Sequence, residues 1–62
     1  MEQFVTIKDY GQPEYLDGAT MQYAVVIGPY PDGHIVAYCT TLEAARTIAH
    51  ALSETVLIEG PS

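Results

Sequence analysis

The most ordered hydrophobic pattern in the chain runs from Gln22 to Glu59: an apolar strand, a turn, a second apolar strand, a capped helix and a last apolar strand. Thr20 to Ile27 is rich in Tyr, Val and Ile and is stopped by Gly28-Pro29, which predicts a strand. Pro31-Asp32-Gly33 supplies turn chemistry, because Pro presets φ, Asp bonds its own backbone and Gly accepts a positive φ. His34 to Cys39 returns as a second strand. The connection from Gly28 to Gly33 is long for a hairpin, so its tip, with Tyr30, is expected to project. The Tyr30-Pro31 bond is expected to be trans, the commoner isomer.

Thr40-Thr41-Leu42-Glu43 opens a helix. Thr40 and Glu43 have the spacing of a capping box, and either threonine can serve as the N-cap. Leu42, Ala45, Ile48, Ala49 and Leu52 recur on one helical face, with Glu43, Arg46, Thr47, His50 and Glu54 on the other. Ser53 or Glu54 ends it, Thr55 to Glu59 is β-rich, and residues 60–62 form a tail. Met1 to Lys8 alternates loosely and predicts a short first strand. Residues 9–19 hold two Gly, a Pro, two Asp and a Glu, and read as a loop anchored by Tyr10, Tyr15 and Leu16. The expected fold is α+β: a single domain over residues 1–62, with a small antiparallel sheet of three or four strands on one helix and a ββαβ core over 20–59.

One helix covers one side of such a sheet. By parity, Met21, Tyr23, Val25 and Ile27 of the first long strand and Ile35, Ala37 and Cys39 of the second lie under it. Ala24, Val26, Val36 and Tyr38 then share the other side, joined by Phe4. A bulge at Gly33 would shift the parity of the second strand. An uncovered apolar sheet face marks an interaction surface. Ala24, Val26, Tyr30, Val36 and Tyr38 are therefore the candidate partner-binding residues, tyrosine offering rigid contact area with a polar tip. The occupant is a partner protein, a second copy of the chain, or the loop over residues 9–19 folded back.

Charge narrows the choice. Eight acidic residues face two basic ones, Lys8 and Arg46, for a net charge of −6. Such a chain repels phosphate backbones and anionic lipid surfaces, so neither nucleic acid nor membrane is an expected partner. Its field steers it toward basic protein surfaces. With 62 residues the core is small, and chains of this size usually lean on a staple, a metal or an oligomer. The single cysteine, Cys39, excludes an internal disulfide. No leader pattern precedes the first strand and the longest apolar run, Tyr23 to Ile27, is too short to span a bilayer, so a cytoplasmic setting is expected.

Little chemistry is written on this frame. His34 and Cys39 have opposite parity and His50 lies on the outer helix face, so no metal is expected. Parity points Cys39 inward, as an inert thiol without a neighbouring base. Glu43, Arg46, His50 and Glu54 read as a solvated stripe. The Gly28 to Gly33 segment contains two prolines and precedes a strand, so it is no phosphate loop. A non-enzymatic chain without cofactor is expected.

Two resemblances bear on function. Tyr23 to Ile27, Ile35 to Tyr38, Thr41 to Ala45 and Val56 to Ile58 resemble the hairpin, Thr-Leu-acidic-x-Ala helix and last strand of small phage proteins that bind host machinery, such as inhibitors of bacterial RNA polymerase. Glu59 stands where those inhibitors present basic residues. The same run is similar to the antitoxin domain of HicB type, without the strand and Gly-Cys segment that precede its helix. The first resemblance implies a phage-encoded protein that binds and modulates a host protein. The second implies neutralisation of a small toxin. Neither assigns a role to an individual residue.

Overall fold

The computed structural model describes residues 3–16 and 18–60, leaving aside the Leu16 side chain. The elements are β1 (Val5–Leu16), β2 (Ala19–Ile27), β3 (His34–Cys39), α1 (Leu42–Leu52) and β4 (Val56–Glu59). They form one four-stranded sheet in the order β3-β2-β1-β4, with α1 against one side. The α+β class is as the sequence predicts. The sheet is mixed rather than antiparallel throughout, because β4 pairs parallel to β1 from Val5↔Val56 to Lys8↔Glu59. Crossing over through α1 brings the chain back to run in the same direction as β1, which no tight turn can do.

The largest departure from expectation is the stretch 9–19. Up to Leu16 and again at Ala19 it is strand and not loop: β1 and β2 continue as a hairpin through Glu14↔Met21, Tyr15↔Thr20 and Leu16↔Ala19. The turn-forming residues are absorbed within β1, where Tyr10 to Pro13 bow out between the pairs Asp9↔Tyr23 and Glu14↔Met21. Gly11 supplies φ of +84° there. The Asp9 carboxylate accepts from the Gly11 N–H at 2.8 Å and from Gln22 Nε2 at 3.4 Å, giving the bow its own hydrogen bonds. Backbone pairing on either side thus outweighs a loop-like composition. Of the expected anchors, Tyr10 is half-buried, Tyr15 is 78% exposed and anchors nothing, and the Leu16 side chain lies outside the description. So do Met1 and Glu2 of the expected first strand and Pro61 and Ser62 of the tail.

Thr41, not Thr40, is the N-cap: its Oγ1 accepts from the Ala44 N–H at 3.1 Å. The third helical residue is then Ala44, so Glu43 is one position short of a capping box and instead lies in the first turn, where its charge suits the helix dipole. Ser53 ends the helix, its N–H bonded to the Ala49 carbonyl and its hydroxyl donating to the Gln3 carbonyl at 2.7 Å. That hydroxyl ties the end of α1 to the chain entering β1.

Val5, Ile7, Val25, Cys39, Ala45 and Ala49 form the core between helix and sheet, ringed by Tyr23, Ile27, Ala37, Leu42 and Val56. Two alanines are the buried residues of α1, which lets the helix lie close to the strands. Ile48 and Leu52, expected beneath the helix, remain 36% and 46% exposed. No helix is long and apolar enough to cross a membrane among the described residues.

Candidate functional site

The side of the sheet away from α1 is built by alternation on β1, β2 and β4. Thr6 and Lys8 face it from β1, Ala24 and Val26 from β2, Leu57 and Glu59 from β4, since residues paired across strands share a side. Val26 pairs with Ile35 and Val25 with Ala37, so Val36 is an extra residue on β3. This bulge, and not one at Gly33, breaks the parity of the strand. It turns Ile35, expected under the helix, to the other side, while Tyr38, opposite Ala24, lies there as expected.

The Gly28 to Gly33 connection does not project. It folds back over this side of the sheet. Thr6 Oγ1 donates to the Gly28 carbonyl at 2.8 Å, and the Gly28 N–H donates to the Phe4 carbonyl at 2.9 Å. Gly33 lies so close that a Cβ there would stand 2.7 Å from both Val26 Cγ1 and the Pro29 carbonyl oxygen. The Tyr30-Pro31 bond is cis, against expectation.

Tyr30 closes the connection against β1. Its ring meets that of Tyr10 edge to face, with centroids 6.2 Å apart and planes at 85°. Tyr10 Oη donates to Tyr30 Oη at 3.4 Å. The ammonium of Lys8, the chain's single lysine, lies 5.3 Å from the Tyr30 ring centroid and 6.0 Å from that of Tyr10. It also reaches Glu59 Oε2 at 3.6 Å and the Gly60 carbonyl at 3.4 Å. Burial, followed by the hydrogen bond to Tyr30, pushes the Tyr10 phenol well above its usual range.

This cover relocates the candidate residues. Val26 lies under Gly33 of the connection, and Ala24, between Lys8 and Tyr38, is likewise without accessible surface, so neither touches a partner in this conformation. Tyr30 is half-buried, tied to Tyr10 and Lys8. Val36 and Tyr38, by contrast, are 41% and 46% exposed. Ile35, which the sequence reading placed in the core, joins them on the same strand. The signal that would have found it is the bulge, and nothing in His34 to Cys39 announces one. Because β3 is the last strand on its side of the sheet, its outer backbone edge has no strand beside it among the described residues.

Depressions among the described residues include two on other parts of the surface. One, of about 460 Å³, lies between the connection and β4, lined by Phe4, Thr6, Pro29, Tyr30, Leu57, Ile58 and Glu59. The other, of about 390 Å³, lies on the outer helix face beside Leu42, Glu43, Arg46, Thr47 and His50. Neither gathers a nucleophile with a base. Among the described residues no three His, Cys, Asp or Glu side chains come together as metal ligands. Cys39 is buried at the end of β3, and that burial pushes its thiol pKa up, away from a reactive thiolate. Comparison of the chain with protein-family models, with curated proteins and with solved structures finds no match.

Proposed function

We propose that the chain is a small, acidic, non-catalytic interaction module that binds and modulates a partner protein through the apolar surface of β3. The observation that carries the reading is the exposure of Ile35, Val36 and Tyr38 together on an edge strand. Each of the three keeps more than a third of its surface exposed at the rim of the sheet, where a partner strand or groove can cover it. Leu57, half exposed on β4, is a separate apolar spot at the opposite edge of the sheet. The net charge of −6 favours a partner with a basic surface around the contact. The resemblance of the hairpin, helix and last strand to small phage proteins makes a bacterial host protein the partner to seek, with the chain phage-encoded and acting in the cytoplasm by covering part of that protein.

Capture from a bacterial host lysate on immobilised wild type, Tyr38→Asp and Thr47→Asp tests this. The account expects a protein retained by wild type and by Thr47→Asp, on the far side of the helix, and lost at least tenfold with Tyr38→Asp. Equal retention by all three variants would overturn the β3 surface as the contact.

A further inference from the structure

We infer that the Lys8 ammonium interlocks two separate parts of the surface, the Gly28 to Gly33 connection and the end of β4, so that each loosens when the other does. The coupling lies on the side of the sheet away from α1 and does not depend on what β3 binds.

Position makes the interlock. β1 is an inner strand, and on it Lys8 pairs with Ala24 of β2 and with Glu59 of β4. Its side chain therefore starts from the middle of the sheet and reaches in two directions. Toward β4 the ammonium meets Glu59 Oε2 at 3.6 Å and the Gly60 carbonyl oxygen at 3.4 Å. Toward the connection it lies 5.3 Å from the Tyr30 ring centroid. Connection and β4 face each other across the depression lined by Pro29, Tyr30, Leu57 and Glu59. Among the described residues no hydrogen bond between backbone groups and no ion pair joins them directly.

Desolvation makes the coupling reciprocal. The Lys8 side chain keeps 14% of its surface accessible, against 47% for Glu59. An ammonium so far withdrawn from water needs its partners. Without the Glu59 carboxylate it is left with one carbonyl oxygen and the ring faces, which do not replace the lost hydration. It then turns toward water, and the contact with Tyr30 goes with it. Without the Tyr30 ring the ammonium is open to water, and a solvated Lys8–Glu59 pair holds β4 weakly. The other basic residue, Arg46, lies on α1 across the sheet and cannot stand in. A basic group that draws Glu59 away is thus felt at the connection above Val26.

Amide hydrogen exchange on the folded full chain tests this. Protection is followed along β4 and at Gly28 and Gly33, whose N–H groups donate to the Phe4 and Pro29 carbonyls. Glu59→Gln should lower protection at Gly28 and Gly33 about threefold, and Tyr30→Leu should do the same along β4, the effect of losing one cation–π contact or ion pair. Glu43→Gln, the same change of charge on α1, should move neither. In Lys8→Met the effect of Glu59→Gln on the connection should vanish. Far-UV circular dichroism checks that Lys8→Met is folded; should it unfold, the two reciprocal effects decide. Substitutions that loosen only the part they lie in, or a coupling that survives in Lys8→Met, overturn the interlock.

Discussion

The two sides of this sheet are covered in different ways. On one, a helix lays Ala45 and Ala49 on Val5, Ile7 and Val25, and the packing is apolar. On the other, the Gly28 to Gly33 connection is held down by a hydroxyl on a carbonyl, a pair of tyrosines and one ammonium. The first cover is a regular element and lies over the centre of the sheet. The second is narrow: Gly33 seats on Val26, while Ile35, Val36 and Tyr38 of β3 keep more than a third of their surface exposed. The exposed strip of Ile35, Val36 and Tyr38 is what remains beyond it. Among the described residues there is one helix, and the side without it is closed by the connection.

Substitutions separate the two covers. Ile7→Ala, deleting a fully buried side chain on the helix side, should cost about 2–5 kcal/mol in urea unfolding, enough to unfold much of a domain this small. Gly33→Ala puts a methyl group against Val26 Cγ1 and the backbone of the connection, where little can yield. It should cost about 1–3 kcal/mol while leaving the helical signal in circular dichroism intact. If Gly33→Ala costs nothing, the connection is not seated on the sheet as described.

The tyrosine cluster responds to pH. Below its ordinary value of 10.0, Tyr10 is neutral whether the chain is folded or not. Above it, the unfolded chain releases the proton while the folded one retains it, so the unfolded state is favoured and stability falls as pH rises. Cys39, also raised above its ordinary value of 9.0, has the same sign and begins earlier. The unfolding free energy should therefore decline above about pH 9, and Tyr10→Phe should flatten the part of that decline above pH 10. An unchanged slope in Tyr10→Phe would place the phenol in open water.

How much of this was legible in the sequence follows the same division. The helix side was read in part: Leu42, Ala45 and Ala49 recur at helical spacing and Tyr23, Val25 and Ile27 at strand spacing, while Ile48, Leu52 and Ile35, expected there, are exposed, and Val5 and Ile7 of the first strand fill the core instead. The other side depended on contacts between residues far apart in the chain: Thr6 with Gly28, Tyr10 with Tyr30, Lys8 with Glu59. Periodicity carries no information about such pairs. The bow at Tyr10 to Pro13 has the composition of a loop, and the bulge at Val36 has no composition at all. Between them they account for the missed hairpin arm and for the misplacement of Ile35. Of the residues first picked for binding, Val36 and Tyr38 stay on the surface because their strand was read correctly. Ala24 and Val26 leave it because their burial could not be foreseen.

If β3 is a contact surface, its exposed side chains contribute little to folding and stay available for contact. Urea unfolding of Tyr38→Asp, at a concentration low enough to keep the chain monomeric, tests this most directly. The expected loss is at most about 1 kcal/mol, the range of a strand-propensity change at an exposed position. A loss of about 3 kcal/mol or more would contradict the account, since it is the size of effect that follows removal of a core side chain.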